Sequence, residues 1–115
     1  MNIVYKTPEA ENNHIAYSIK GSKITFGDDE KMLNLAKYEK DDAVHITDSV
    51  DANGNLVGNS NGLYYAYEID IPAREYKYVT DESGEQDESG TSKTQKIPVP
   101  FDMDKCTLTL WKLEV

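Results

Sequence analysis

The feature that most constrains the fold is a strict two-residue alternation between Leu63 and Ile71. One face of this segment carries only apolar or aromatic side chains, namely Leu63, Tyr65, Tyr67, Ile69 and Ile71. The opposite face carries Tyr64, Ala66, Glu68 and Asp70. Successive strand side chains point to opposite sides, so this repeat is typical of a β-strand with one buried face. It predicts a strand that ends or bends at Pro72, with the apolar face in the core.

Shorter alternating segments lie on both sides of this strand, at 15–19, 24–26, 44–47, 75–79, 97–101 and 106–115. Turn residues separate many of them: Gly21-Ser22 predicts a tight hairpin, and Asn53-Gly54 predicts a type I′ hairpin turn. Apolar residues on both faces of 106–115 predict a central strand. Seven to nine short strands joined by turns predict an all-β fold, a mostly antiparallel sandwich or partly closed barrel with at most one short helix.

The segment 31–40 has two interpretations. An acid before it and Lys37 and Lys40 at its end suit a short helix, since they complement the helix dipole. Leu33 and Leu35 share one face of a strand instead. We favour the strand because both neighbouring segments are strands and the connections are short.

An acidic segment without apolar residues spans positions 81–93. It holds five acids and one base, a net charge of −4, and repeats Asp-Glu-Ser-Gly at 81–84 and 87–90. Such a composition buries too little apolar area to offset the entropy of ordering. We therefore expect one β domain over residues 1–115, with a flexible acidic loop at about 81–93 joining two hairpin strands.

The whole chain is acidic, with 21 acids, 12 bases and a net charge of −9. Nucleic-acid phosphates and anionic membranes repel such a surface, so neither direct nucleic-acid binding nor membrane binding is expected. Cys106 is the only cysteine, which fits a reducing compartment. The first residues lack the apolar run of a signal peptide. These observations predict a cytoplasmic protein with a protein partner.

Candidate metal and nucleophile sites are weak. The stretch from Ser49 to Ser60 partly matches an EF-hand calcium loop, but serine stands at its first and twelfth positions, where Asp and Glu belong. His14 and His45 are the only histidines, too few for a typical zinc site. Cys106 begins an apolar strand and is expected to be a buried, inert thiol. We predict no metal and no cofactor.

The acid pairs Asp41-Asp42 and Asp102/Asp104 have the groups needed for acid–base catalysis, but acids in turns are common. No phosphate-binding loop or hydrolase motif accompanies them. We expect a protein that is not an enzyme. A deep pocket lined by Asp102, Asp104 or His45 would change that expectation.

Tyrosine is the most suggestive residue type, because the chain has eight and five of them lie between positions 64 and 78. Tyrosine anchors many protein interfaces, although it is also a common strand residue. Tyr64, on the polar face of its strand, is the first candidate for partner contact. Tyr76 and Tyr78, on the next strand, are the others.

Two stretches, 69–76 (IDIPAREY) and 98–111 (PVPFDMDKCTLTLW), together resemble small uncharacterised proteins of prophages and integrative elements of gut-type bacteria. The resemblance covers 22 of the 115 residues of the chain. It implies a mobile-element context and transfers no site residue.

The sequence thus favours a non-enzymatic protein-binding or assembly module of phage-like origin, supported by candidate contact tyrosines and by an edge strand that Pro98 and Pro100 protect. The alternative is an acidic inhibitor that mimics nucleic acid and occupies a basic groove on a host protein. Mimicry requires rigid carboxylates at phosphate-like spacing, whereas about half of the net charge lies in 81–93.

Replacing residues 81–93 by Asn-Gly tests the predicted loop. Because closure entropy changes slowly with loop length, we expect the free energy of unfolding to change by no more than about 1 kcal/mol. Urea unfolding measures this change. A shortened chain that fails to fold, or strong protection of the amides of 81–93 from hydrogen exchange, would make the segment a structural element.

Overall fold

The computed structural model describes residues 1–80 and 94–114, which form nine strands. They are β1 (Asn2–Tyr5), β2 (Tyr17–Lys20), β3 (Lys23–Phe26), β4 (Lys31–Asn34), β5 (Val44–Val50), β6 (Tyr64–Ile71), β7 (Tyr76–Thr80), β8 (Thr94–Pro98) and β9 (Thr107–Leu110). Helix in the described residues is limited to three short 3₁₀ turns, at Pro8–Glu11, Leu35–Lys37 and Met103–Lys105. The all-β, mostly antiparallel prediction is confirmed, and none of the sheets closes into a barrel.

The main sheet has the strand order β1-β9-β6-β5. β1 runs parallel to β9, and the other neighbours are antiparallel. β9 is an inner strand, as predicted, although it is shorter than the segment 106–115. Its inward side chains, Leu108 and Leu110, are fully buried, as is Cys106 immediately before the strand.

The small sheet, β2-β3-β4, covers the inner face of the main sheet. Its first hairpin turns at Gly21-Ser22, as predicted, and Gly21 has the positive φ of 62° that the first position of a type II′ turn requires. The ambiguous segment 31–40 begins as strand β4 and then forms a 3₁₀ turn. The Asn34 side chain accepts a hydrogen bond from the Ala36 N–H, which ends the strand and starts that turn.

One aromatic pair joins the two sheets. The Phe26 ring from the small sheet stacks on the Tyr67 ring from the main sheet, with centroids 3.6 Å apart and ring planes 6° from parallel. The Tyr67 hydroxyl donates to the Asp48 carboxylate at 3.0 Å. Burial and the nearby carboxylate both raise the pKa of Tyr67, so the hydroxyl keeps its proton and remains a donor.

The predicted apolar face of β6 is correct at Tyr67, Ile69 and Ile71 and wrong at Leu63 and Tyr65. Leu63 is 66% exposed and Tyr65 is 44% exposed. The cause is a β-bulge: Asp48 pairs with Tyr67 and Ser49 pairs with Tyr65, so the residue between the two tyrosines has no partner on β5. One extra residue reverses the alternation beyond it.

The loop between β5 and β6 is held by two side chains at the bulge. The Asp48 carboxylate accepts hydrogen bonds from the Ser49 and Gly58 N–H groups, each at 2.8 Å, and the Ser49 hydroxyl accepts one from the Gly62 N–H at 2.7 Å. A Cβ on Gly62 would lie 2.5 Å from the Ser49 hydroxyl oxygen, so only glycine fits there.

The turn predicted at Asn53-Gly54 is present, but it is not type I′. Gly54 has a positive φ of 82° and Asn53 does not, whereas a type I′ turn needs both. The Asp51 carboxylate instead accepts from the Asn53 and Asn55 N–H groups, which stabilises the turn through its own side chain.

Strands β7 and β8 form a separate antiparallel pair, with Tyr76 opposite Pro98 and Thr80 opposite Thr94. This confirms the predicted pairing of segments near 75–79 and 95–99. The acidic loop expected at 81–93 lies outside the described residues.

Changing Tyr67 to Phe tests the role of the hydroxyl, because it keeps the ring stack and removes one donor from Asp48. Asp48 is 1% exposed, so its carboxylate cannot replace that donor with bulk water. We expect a loss of about 1–3 kcal/mol in the free energy of unfolding, measured in urea. Tyr65→Phe, on the same strand but exposed, is the matched control and should change it by less than about 0.5 kcal/mol. Equal effects of the two substitutions would contradict this role.

Candidate functional site

The outer face of the main sheet, which points away from the core, carries two cross-strand rows of side chains. In each row one residue comes from each strand, in the order β1, β9, β6, β5. The first row is Asn2, Thr107, Asp70 and His45, and the second is Val4, Thr109, Glu68 and Thr47. Seven of these eight are polar, and all are exposed or half-buried. The registers therefore place a histidine beside two carboxylates.

His45 contacts a different carboxylate with each ring nitrogen. Its Nδ1 lies 2.6 Å from the Asp70 Oδ1, and its Nε2 lies 3.2 Å from the Glu68 Oε1. The Thr47 hydroxyl oxygen is also 2.9 Å from Nε2. The hydrogen bond to Asp70 is the main cause of a raised pKa for His45, and the charges of Asp70 and Glu68 raise it further.

Thr47, His45 and Asp70 lie in the order of a nucleophile, a base and the group that orients the base. This order of groups is that of an acyl-transfer site, but the position of Glu68 disfavours acyl transfer. Its carboxylate lies beside the same Nε2 and would repel the negative charge that develops on an acyl substrate. The depression that includes His45, Asp70 and Lys105 is open, and the His45 side chain is 51% exposed.

A second feature of the main sheet is an aromatic groove of ≈ 550 Å³, which lies where β6 begins and β9 ends. We define it by its eight lining residues, which are Thr7, Glu9, Leu63, Tyr64, Tyr65, Trp111, Lys112 and Glu114. The rings of Tyr65 and Trp111 lie 4.9 Å apart at 44°, and the Lys6 ammonium is 5.1 Å from the centroid of the Trp111 ring. The groove combines apolar walls with charged ends.

Backbone hydrogen bonds position the groove. The Leu63 N–H donates to the Val50 carbonyl at 2.9 Å, and the Trp111 N–H donates to the Ala66 carbonyl at 3.1 Å. The bulge in β6 turns Tyr65 to the outer face, where it meets Trp111. Strand register thus sets the orientation of Tyr65, whereas six of the eight lining residues come from segments outside the strands.

Glu68 connects the groove to the histidine cluster. Its Oε1 faces His45, and its Oε2 accepts a hydrogen bond of 2.7 Å from the Trp111 indole Nε1. One carboxylate therefore contacts the imidazole on one side and the indole on the other.

The structure separates the three predicted contact tyrosines. Tyr64 lines the aromatic groove. Tyr76 lies on the β7-β8 pair, where its hydroxyl donates to Asp41 and the Lys96 ammonium lies 4.1 Å from its ring centroid. Tyr78 is 68% exposed on the same pair. Neither Tyr76 nor Tyr78 lines the groove.

Of the eight groove residues, the sequence predicts only Tyr64 as a contact, and the large apolar or aromatic side chains that it misses are Leu63, Tyr65 and Trp111. The alternation assigns Leu63 and Tyr65 to the core because it does not show the bulge. Trp111 could have been identified from the sequence. It lies on the opposite face of the segment 106–115 from Cys106, Leu108 and Leu110, and it is the single tryptophan of the chain.

The other candidate residues from the sequence make contacts within the fold and do not line the groove. The Ser49 hydroxyl and the Asp51 carboxylate bind backbone N–H groups of their own loop. Cys106 is buried, as predicted, and burial raises the pKa of its thiol. Asp104 contacts the N-terminal ammonium at 3.2 Å. Across residues 1–80 and 94–114, no three His, Cys, Asp or Glu side chains are placed to share a metal ion.

Comparison of the chain with family models, curated proteins and solved structures finds no match in any of the three. Among the described helices, none is long and apolar enough to cross a bilayer.

The His45 cluster predicts a pH-dependent contribution to stability. Because the folded-state pKa is raised, the cluster stabilises the fold fully below the unfolded-state pKa of about 6.5. This contribution is lost as the pH rises through the folded-state pKa. The difference in unfolding free energy between the native chain and His45→Gln should therefore be larger at about pH 5 than at about pH 8.

His14→Gln is the matched control, since it removes the other histidine. It should not reproduce that pH dependence. A His45 pKa at or below about 6.5 in the folded protein, measured by NMR, would contradict the prediction.

Proposed function

We propose that this chain is a non-enzymatic protein-binding module whose contact surface is the aromatic groove. The observation that carries the proposal is the exposure of Leu63, Tyr64 and Tyr65 beside Trp111, where β6 begins and β9 ends. Tyrosine and tryptophan contribute most of the binding energy in many protein interfaces, and clustered exposed apolar side chains mark interaction surfaces.

The local structure supports a binding role over simple packing. A regular β6 would bury Leu63 and Tyr65 with Tyr67, and the bulge exposes them instead. Bulges commonly re-aim side chains at functional positions. Exposing two large apolar groups gains nothing for the isolated fold, so a partner that covers them supplies the missing burial, worth about 25 cal/mol per Å².

The absence of catalysis is part of the proposal. Its support is the Glu68 carboxylate beside His45, which disfavours acyl-transfer chemistry at Thr47. A cytoplasmic location and a mobile-element origin remain sequence predictions. The nucleic-acid-mimic alternative has less support, because Glu68 and Asp70 on the outer face are both beside the His45 imidazole rather than free.

Site-specific photo-cross-linking tests the proposal. We expect p-benzoylphenylalanine at position 64 to form a discrete cross-linked product with a protein partner in cells, because Tyr64 lines the groove. The same probe at Met32 is the control, since Met32 is 61% exposed but lies on the small sheet. The same cross-linking pattern at positions 32 and 64 would contradict the groove as the contact surface.

The partner identified in this way allows a quantitative measurement by calorimetry. Leu63→Ala and Tyr64→Ala should each weaken binding at least about tenfold, the loss expected when an interface anchor is truncated. Met32→Ala should leave the affinity unchanged. Native affinity in both groove variants, with unchanged circular dichroism, would reject the proposal.

A further inference from the structure

We propose that the outer face of the main sheet contains a pH-sensitive link, in which the protonation state of His45 controls, through Glu68, how the Trp111 indole is held in the wall of the aromatic groove. The link is internal to the chain, so it does not rest on the binding proposal.

The first step is the number of protons on the imidazole. Nδ1 faces the Asp70 carboxylate at 2.6 Å, and Nε2 faces the Glu68 carboxylate at 3.2 Å. The contact to Asp70 is a hydrogen bond, which needs an N–H on Nδ1, and the contact to Glu68 is an ion pair, which needs the positive charge of the protonated ring. The imidazolium has two N–H groups and the neutral ring has one. Both contacts are therefore satisfied only while His45 is protonated.

The second step is which contact the neutral ring loses. The contact to Asp70 is shorter by 0.6 Å, the difference between 3.2 and 2.6 Å, so the remaining proton stays on Nδ1. The Thr47 hydroxyl lies 2.9 Å from Nε2 and can donate to the lone pair there. On the Glu68 side the ion pair is lost, and the Glu68 Oε1 then faces a lone pair. Deprotonation thus releases Glu68 and not Asp70.

The third step carries the change to the groove. The Oε2 of the same carboxylate accepts the Trp111 Nε1–H at 2.7 Å. With His45 protonated, the imidazolium attracts the carboxylate from one side and the indole N–H donates to it from the other. With His45 neutral, the ion pair is gone and the hydrogen bond from the indole remains, so the carboxylate and the indole can reorient together. Trp111 lies between Lys6 and Tyr65, and any reorientation changes the groove wall.

Few other charges act on this site. From β6, the groups that face His45 are Glu68 and Asp70, and its neighbour on β5 is the uncharged Thr47. From the segment before β9, Lys105 lines the same depression, but its ammonium is paired with the Glu75 carboxylate at 2.7 Å. Thr107 of β9 is uncharged. The titration of His45 is therefore the charge change that acts on Glu68 between about pH 5 and pH 8.

The single tryptophan provides a direct measurement, because its indole N–H gives one resolved NMR signal. We expect the chemical shift of the Trp111 indole to change between about pH 5 and pH 9, with the same midpoint as the His45 ring. His45→Gln should abolish the change. His14→Gln, which removes the other histidine, should retain it.

Glu68→Gln separates the link from a through-space effect. In this variant His45 should still titrate, with a lower midpoint, while the indole signal should lose its pH dependence. Asp70→Asn gives a second test that leaves Glu68 intact, and it should shift the midpoints of His45 and Trp111 downward together.

Two results would overturn the proposal: an indole midpoint different from that of His45, or an indole response that persists in Glu68→Gln. Neither result depends on a binding partner. The pH-sensitive link can therefore be absent while the groove still binds a partner, and the link can be present while the groove binds none. If both proposals are correct, partner affinity changes with the same midpoint and loses that pH dependence in His45→Gln.

Discussion

The contact on which the rest of the structure depends is made by Tyr67. Its ring stacks on Phe26 and so fixes the small sheet to the main sheet. Its hydroxyl donates to Asp48, whose other oxygen holds the loop between β5 and β6. A single buried side chain therefore connects three parts of the chain. The Tyr67 ring packs in the core, and its hydroxyl donates to the Asp48 Oδ2, the carboxylate oxygen that does not accept from the backbone N–H groups of Ser49 and Gly58.

The bulge beside Tyr67 explains how a well-packed core and an exposed apolar surface coexist on one strand. On one side of it, Ile69 and Ile71 continue the buried face of β6. On the other side, Tyr65 turns outward and meets Trp111. The apolar content of β6 is thus divided between the core and the groove, and the division point is a change of one residue in register.

Much of the fold could be predicted from local patterns, and the candidate site could not. Alternation identified β6, and the apolar face that it assigned is correct at Tyr67, Ile69 and Ile71. The partners of His45 depend on the pairing of β5 with β6, which local alternation does not contain. The burial of Asp48 and the exposure of Leu63 likewise follow from the bulge. Local sequence specifies which strands form, whereas register decides which side chains meet.

The two proposals share one side chain, and this has a physical consequence. Glu68 accepts a hydrogen bond from the indole that forms a groove wall and pairs with the imidazole of His45, whose pKa is raised mainly by its hydrogen bond to Asp70. A carboxylate attracted from two sides is held in one orientation, and its contact with one group changes when the other contact is lost. Both groups are half-buried or exposed, so reorientation has a low energetic cost compared with a change in the core. The layer around Tyr67 is fully buried, and close-packed interiors resist such rearrangement. The fold thus places its adjustable contacts on the outer face and its fixed contacts between the sheets, which allows the groove to respond to pH while the two sheets remain packed.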